Sequence, residues 1–219
     1  MGAIGCSRKS RDAIRTQPQF FWWGWAVGVL EQAGFDGKRV LDVGAGHGYV
    51  IAQIRDRGAV PYAIDVSEES VNCLKEQGIA AYRTDLSCQP LPFEDNFFDF
   101  VIFTEVIEHI PFPQHALREI HRVLKPDGSL VISTHNSFNL YMRLPYFLGK
   151  VPAPDLDVRR TGQHMRLFGY GILSDVLQEA DFKSISNQSR ILGSVSAGKR
   201  TPKCLTSLLA RHLYLVCRN

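Results

Sequence analysis

The chain has 219 residues, 45% of them hydrophobic and 21% charged, which is enough for one domain with a substantial core. This balance is typical of a soluble globular protein, and the sequence shows no repeats or low-complexity segments. No stretch approaches about 18 uninterrupted apolar residues, so a transmembrane helix is excluded.

The net charge of +3 is unevenly distributed along the chain. From Phe182 to Asn219 there is no acidic residue but seven Lys and Arg residues, and the N-terminal arm is also basic. A solvated basic face is one interpretation. Attraction to an anionic substrate, a lipid headgroup or nucleic acid is the other.

The cysteines are scattered, odd in number and never arranged as CxxC pairs, which fits reduced thiols and disfavours a cysteine-bound zinc. The first 15 residues lack the apolar core of a signal peptide. The sequence therefore predicts a cytoplasmic protein.

Short apolar runs alternate with segments of helical spacing along most of the chain. The predicted strands span 38–44, 60–67, 80–85, 98–104 and 129–136. The predicted helices span 49–58 and 67–78, with a third inside 111–128 that ends in a Lys-Pro-Asp-Gly turn. A long insertion covers 137–169. A helix at 170–182 and two closing strands follow it. The alternation predicts βαβ units and a parallel sheet with right-handed crossovers.

The loop "LDVGAGHGYV" (41–50) lies between a strand and a helix, where open parallel sheets bind ligands. Gly44, Gly46 and Gly48 allow sharp turns and close approach of a ligand. A dinucleotide loop of the GxGxxG form needs a third glycine where Tyr49 stands, so a nicotinamide or flavin dehydrogenase is disfavoured. Asp42 precedes the glycines and suits a ligand that carries an ammonium group.

Two further aspartates end predicted strands. Asp65 can accept both hydroxyls of a ribose, and its alternative role is a helix cap, although Ser67 is available for capping. Asp85, with the Leu86 amide, can meet the edge of an adenine ring. A turn aspartate is the alternative.

The stretches "VLDVGAGHG", "AIDVS", "RTDLSCQPLPFEDNFFDFVIFTEVIEHI" and "REIHRVLKPDGSLVIST" resemble class I S-adenosylmethionine-dependent methyltransferases, in particular the methyltransferase type 11 family. The resemblance covers about 37–136 and parts of the later chain. It implies an α/β, Rossmann-like sheet of seven strands in the order 3-2-1-4-5-7-6, flanked by helices and with strand 7 antiparallel. It also implies S-adenosylmethionine as cofactor and S-adenosylhomocysteine as product. The implied cofactor contacts are Asp42, Gly44, Ala45, Gly46, Gly48, Asp65, Val66, Asp85, Leu86 and Thr104.

On this basis we expect a single methyltransferase domain over residues 1–219. Its expected parts are an N-terminal arm and lid helix (1–36), a cofactor-binding core (37–136), a substrate-side insertion (137–169) and a C-terminal helix with strands (170–219).

The stretch "TEVIEH" (104–109) places Glu105, Glu108 and His109 where the fourth predicted strand ends. In a helical turn these three side chains would share one face. The stretch resembles the Glu-x-x-Glu-His pattern of ubiquinone-pathway O-methyltransferases. It also resembles small-RNA terminal 2′-O-methyltransferases, which add a later histidine that would correspond to His164.

Three roles for this stretch stay open. The four residues Glu105, Glu108, His109 and His164 are candidate ligands of a divalent metal. His109, with Glu105, is a candidate metal-free catalytic base. The third role is structural, with the acids bonding the backbone at the strand exit.

The stretch "FFWWGW" (20–25) holds five aromatic residues in six. It predicts a helix that packs on the core, that covers the cofactor as a lid, or that touches a membrane surface.

The sequence therefore predicts a methyltransferase that acts on a small-molecule acceptor, at a hydroxyl oxygen. An RNA or lipid methyltransferase that uses the basic C-terminal segment is the first alternative, so nucleic acid or a membrane surface is a less favoured partner. The second is a non-catalytic cofactor-binding subunit. The sequence does not fix the oligomeric state.

Overall fold

The computed structural model of the chain describes residues 21–149, 165–189 and 208–219, and its seven strands form one sheet. The strands are β1 Arg39–Val43, β2 Val60–Asp65, β3 Ala80–Arg83, β4 Phe98–Thr104, β5 Leu124–His135, β6 Ser184–Asn187 and β7 His212–Arg218. Their order is β3-β2-β1-β4-β5-β7-β6. Neighbours from β3 to β5 are parallel, whereas β7 is antiparallel to both β5 and β6. The sheet implied by the resemblance is therefore confirmed.

Six α-helices are described, with a short 3₁₀ helix after β4. The α-helices are α1 Phe21–Ala33, α2 Tyr49–Arg55, α3 Glu68–Glu76, α4 Pro113–Val123, α5 Leu140–Phe147 and α6 Tyr170–Glu179. The 3₁₀ helix spans Ile107–His109. Local signals explain several helix starts: Ser67 caps α3 by accepting from the Ser70 N–H, and proline opens α4.

The sheet is covered on both faces by apolar residues. On one face, buried residues of α1, α2 and α3 pack against strand residues such as Val40, Ile102 and Val131. On the other face, α4 and α6 pack against residues such as Val101 and Leu130. Burial on both sides explains the nearly continuous apolar runs of β1 and β4.

One sequence expectation differs from the structure. The Lys-Pro-Asp-Gly turn lies inside β5, which begins at Leu124 rather than at 129, and the β4–β5 register shifts between Phe98 and Phe100 to accommodate it. The predicted insertion contains α5. Residues 150–164 of the insertion lie outside the described ranges. Near its end, Phe168 forms a β-bridge with Asn136.

The cysteines do not all behave as expected. Cys88 and Cys217 are free, as predicted, but Cys73 is disulfide-bonded, so the prediction of reduced thiols is wrong at that position. Among the described helices, none has the length and apolar character needed to cross a membrane. The N-terminal arm up to residue 20 and the basic stretch 190–207 fall outside the described residues.

Candidate functional site

The loop between β1 and α2 carries the three glycines of the DxGxGxG pattern. All have positive φ angles, 72° at Gly44, 52° at Gly46 and 81° at Gly48, which side-chain-bearing residues rarely adopt. A Cβ on Gly44 would lie 2.6 Å from Val106 Cγ2, and one on Gly48 would lie 2.6 Å from Leu74 Cδ2. Around Gly46, the described part of the chain leaves at least 4 Å free. Gly46 therefore borders space that a ligand can enter.

Asp65 ties this loop to the end of β2. Its Oδ2 accepts from the Gly46 N–H at 2.8 Å, and its Oδ1 accepts from the Ser67 N–H at 2.9 Å. Since the Ser67 side chain supplies the cap of α3, Asp65 is not needed for that role. Each carboxylate oxygen keeps a second lone pair that a ligand hydroxyl can use. The next residue, Val66, is 60% exposed at the same edge.

Asp42 lies beneath the glycine loop and is only 3% exposed. Burial, with the negative charge of Asp65 added, raises the pKa of Asp42 to about 7, and a hydrogen bond from the Ile51 backbone opposes the rise. A buried carboxyl group of this kind gains its charge most readily when a cation arrives beside it.

Asp85 follows β3 and forms a local turn. Its Oδ1 accepts from the Ser87 N–H at 2.9 Å, and its own N–H donates to Gln89 Oε1 at 2.8 Å. Leu86 is 8% exposed and joins the apolar core. The structure thus shows the turn that the sequence offered as the alternative role for Asp85, at the strand end where the adenine contact was predicted.

The chain leaves β4 through an unusual backbone conformation. Thr104 ends the strand, and Glu105 has a φ of 55°, which is rare for a residue with a side chain. The Glu105 N–H donates to the Ser133 carbonyl oxygen at 2.9 Å. This turn places Val106 against the glycine loop at Gly44 and leaves Glu105 facing β5.

Two carboxylates meet a histidine at this point. Glu105 Oε1 accepts from Ser133 Oγ at 2.8 Å, and Glu108 Oε2 accepts from Thr134 Oγ1 at 2.8 Å. Their other oxygens face His135: its Nδ1 lies 2.9 Å from Glu105 Oε2 and 3.6 Å from Glu108 Oε1. Each carboxylate is therefore anchored by one oxygen and presents the other to the imidazole.

A second histidine completes the group. His212 begins β7 directly opposite His135 in the antiparallel ladder, and the two ring centroids are 4.4 Å apart. His212 Nε2 lies 3.9 Å from Glu105 Oε2. We call Glu105, Glu108, His135 and His212 the acid–histidine cluster. It lies at the carboxyl end of the parallel strands, where open sheets of this kind bind ligands.

Charges within the cluster shift its titrations. Burial alone would lower the pKa of His135, but hydrogen bonds to Glu105 and Glu108 raise it to about 10. The pKa of His212 is lowered, first by burial and then by the neighbouring His135 charge, against the pull of Glu105. Burial opposes ionisation of Glu108, yet bonds from His135 and Thr134 keep its pKa below the usual value. At neutral pH the cluster therefore holds a cationic His135 imidazole beside a neutral His212 imidazole.

The sequence-predicted residues are only partly brought together. Glu105 and Glu108 converge as expected, but through a strand-exit turn and a 3₁₀ helix rather than an α-helical turn. His109 is exposed, and its charge helps to lower the pKa of Glu108. His164 lies outside the described residues.

Sequence reasoning missed His135 and His212. The signal for His135 was its position at the end of the fifth strand, in "VISTHN", since strand ends at this edge gather functional side chains. The signal for His212 was weaker. His212 reaches the same edge only because β7 runs antiparallel to β5. That direction was implied by the family resemblance and has no signal of its own in the sequence.

Aromatic residues of α1 join the glycine loop to the cluster. Trp23 stacks on Tyr49, the first residue of α2, with ring centroids 4.7 Å apart and planes at 17°. Trp25 packs on Tyr214 at 4.7 Å, and Tyr214 lies 6.1 Å from the His212 ring. Both tryptophans are partly buried against the core. This supports core packing, and it also places α1 beside both parts of the site.

A protein-family model described as a methyltransferase domain matches residues 25–187. The ubiquinone biosynthesis O-methyltransferase of Pseudomonas aeruginosa strain LESB58 is 34% identical over 113 residues, which cover 49% of this chain and 49% of that protein. The homologous enzyme of Pseudomonas syringae pv. tomato matches over the same shares, also at 34% identity. The chain thus spans about half the length of the curated relatives it matches.

Solved structures share the fold. The Burkholderia thailandensis 1,6-didemethyltoxoflavin-N1-methyltransferase, solved with 1,6-didemethyltoxoflavin and S-adenosylhomocysteine, has a TM-score of 0.62 and 21% identity over 96% of this chain and 82% of that one. A SAM-dependent methyltransferase from Archaeoglobus fulgidus has a TM-score of 0.64 and 15% identity over 90% and 94% of the two chains. At these identities the likeness shows the fold alone.

Proposed function

Since the chain belongs to the methyltransferase-domain family, we propose that it is an S-adenosylmethionine-dependent methyltransferase whose acceptor is a hydroxyl group of a small molecule. The observation that carries the hydroxyl assignment is the acid–histidine cluster beside the glycine loop. Hydroxyl oxygens are poor nucleophiles until a proton is removed, so an acceptor of this class needs proton-accepting groups at the site.

The residues around the glycine loop fit the cofactor. Gly46 borders open space, Asp65 offers carboxylate oxygens at the end of β2, and buried Asp42 suits an ammonium group nearby. Gly44, Ala45, Gly48, Val66, Asp85, Leu86 and Thr104 stay as proposed contacts from the resemblance. When bound, the cofactor supplies a methyl group on a positively charged sulfur, which makes that carbon electrophilic.

The chain's own contribution is position and proton transfer. Val106 packs against Gly44, so Glu105, its neighbour, is fixed in relation to the cofactor loop. We assign the acceptor hydroxyl to the space bordered by Glu105 and the two histidines. The Glu105 carboxylate and the neutral His212 imidazole are the groups that can take the hydroxyl proton, whereas cationic His135 holds Glu105 in place. Holding both partners in line would supply much of the rate enhancement.

His109 stays an alternative candidate for the base. An RNA or lipid methyltransferase and a non-catalytic cofactor-binding subunit stay alternative functions. The basic stretch that motivates an RNA or lipid acceptor is mostly outside the described residues, and a non-catalytic subunit would need a closed acceptor space. The ubiquinone biosynthesis names of the relatives favour an O-methyl acceptor over these rivals.

The test uses purified protein, ¹³C-methyl S-adenosylmethionine, and a panel of phenols, catechols and alcohols with matched amines. We expect a methyl ether, identified by NMR, from at least one hydroxyl compound. Glu105→Gln and His212→Gln should lower turnover by more than about tenfold while cofactor affinity stays within about twofold. His115→Gln, on α4 and bonded to the Gln89 carbonyl oxygen, is the matched control. Cofactor binding with only N-methyl products would contradict the hydroxyl assignment, and no cofactor binding would contradict the methyltransferase.

A further inference from the structure

The acid–histidine cluster has a geometry that suits more than proton transfer. One ligand atom each from Glu105, His135 and His212 lies within 4.8 Å of the others. The measured separations are 2.9 Å from Glu105 Oε2 to His135 Nδ1 and 3.9 Å from Glu105 Oε2 to His212 Nε2. Ligand atoms placed about 2.0–2.1 Å from a tetrahedral zinc ion are themselves roughly 3.3 Å apart. The observed separations bracket that value.

Two carboxylate oxygens in the cluster are buried and face His135. They are Glu105 Oε2 and Glu108 Oε1, the oxygens left after Ser133 and Thr134 have bound the other two. Glu108 is 2% exposed and its Oε1 lies 3.6 Å from His135 Nδ1. Two anionic oxygens in a buried place need a cation beside them, and here that cation is the protonated His135 imidazole. A metal ion would take over this role, with release of the His135 proton.

We propose that Glu105, His135 and His212 bind a divalent transition-metal ion, with Glu108 as a fourth ligand or as support for His135. Two imidazoles with carboxylate oxygens suit Zn²⁺ or Mn²⁺ better than Mg²⁺ or Ca²⁺, which prefer oxygen-only sites. This set differs from the one implied by the Glu-x-x-Glu-His resemblance. His109 is exposed, and the two imidazoles come from β5 and β7 instead.

The ligands are held by elements that do not depend on a metal. His135 and His212 are paired across the β5–β7 ladder, and Glu105 is fixed by Ser133 at both its side chain and its backbone N–H. Anchoring of this kind orients ligands before an ion arrives. When bound, such an ion lowers the pKa of a coordinated hydroxyl or water.

This inference stands apart from the proposed methyl transfer, because metal binding is measured without cofactor or acceptor. Protein treated with EDTA and dialysed is titrated with Zn²⁺ and Mn²⁺ in competition with a chromophoric chelator. All proteins carry Cys88→Ser, since Cys88 is an exposed free thiol that can bind zinc on its own. We expect one ion per chain. Glu105→Gln, His135→Gln and His212→Gln should each weaken binding at least about tenfold, and the control His115→Gln should not.

A second measurement does not depend on the variants folding. Histidine ¹⁵N signals of the unaltered protein are followed during the zinc titration, and those of His135 and His212 should shift together at one equivalent. The proposal is overturned if neither ion binds with a dissociation constant below about 1 mM. It is equally overturned if the cluster variants bind as well as the control, or if only other histidines respond.

Discussion

The side chain of Val106 occupies the position that a Cβ on Gly44 would need, with Cγ2 only 2.6 Å away. This contact joins the glycine loop after β1 to the acidic turn after β4. The two segments lie on adjacent parallel strands, so their ends meet at one edge of the sheet. The proposed cofactor loop and the acid–histidine cluster are therefore parts of one site.

We predict that Gly44→Ala destabilises the fold by about 2–4 kcal/mol, because strain at φ 72° adds to the clash with Val106. Gly78→Ala is the matched control, since its φ is 75° but the described residues leave open space around its Cβ. Denaturant unfolding should show a smaller loss for the control, about 1 kcal/mol. Equal losses would show that the Val106 contact is unimportant.

We predict that Asp65→Ala weakens binding of S-adenosylmethionine by about 1–3 kcal/mol. The variant loses the carboxylate that holds the Gly46 N–H at 2.8 Å and that we assign to the cofactor ribose. Isothermal titration calorimetry measures the change, and thermal unfolding shows whether the variant is folded. An unchanged affinity in a folded variant would remove Asp65 from the cofactor site.

Asp42 should make both stability and cofactor binding depend on pH. Its pKa of about 7 in the folded protein exceeds the ordinary aspartate pKa of 3.8. The folded state therefore binds more protons between these values, and stability falls as pH rises through that window. Asp42→Asn removes this dependence. The free energy of unfolding of the variant minus that of the unaltered protein should therefore be larger at pH 8 than at pH 4, by roughly 2–4 kcal/mol. If the free energy of unfolding of the two proteins changes with pH in the same way across this window, the assignment is contradicted.

The same aspartate should favour cofactor binding at higher pH. If the methionine ammonium lies near Asp42, affinity should rise from pH 6 to pH 7.5 as the carboxyl group loses its proton, until an α-amino group with a pKa of about 7.7–8.0 loses its own charge. Titrations at several pH values measure the effect. Asp42→Asn should bind more weakly and with a flatter profile, and an equally steep profile would refute the pairing.

The two tryptophans of α1 should have separable effects. Trp23→Ala removes the stacking on Tyr49 beside the glycine loop and should weaken cofactor binding by about 0.5–1.5 kcal/mol. Trp25→Ala removes the contact with Tyr214 near His212 and should lower turnover more than cofactor affinity. Calorimetry and initial rates on both variants test this. If neither property changes in either variant, α1 only packs on the core.

Much of this fold was predictable from the sequence because its signals are local. The strands were predicted from apolar runs that end in glycine or aspartate, and the start of α3 was predicted from Ser67. The β5 start was misplaced because Pro126 and Gly128 indicate a turn. Pairing with β4 on both sides of this stretch overrode that local preference. Residues 125–128 of β5 lie opposite one residue of β4 as an irregularity in the ladder.

The site was harder to predict than the fold. Glu105 and Glu108 could be found because they lie three residues apart at a strand end. His135 and His212 could not be joined to them, since a distance of 77 positions in the sequence gives no periodic signal and only the β5–β7 register brings the two rings together. The positive φ of Glu105 was also invisible, because no glycine marks it.

The most direct test of the account is a crystal structure of the protein with S-adenosylhomocysteine. We predict that the homocysteine part follows the Gly44–Gly48 loop and that the ribose hydroxyls bond Asp65. The sulfur should then face the space bordered by Glu105, His135 and His212. The proposed function would be contradicted by a complex in which the sulfur faces away from this cluster, or in which the ligand does not contact the glycine loop.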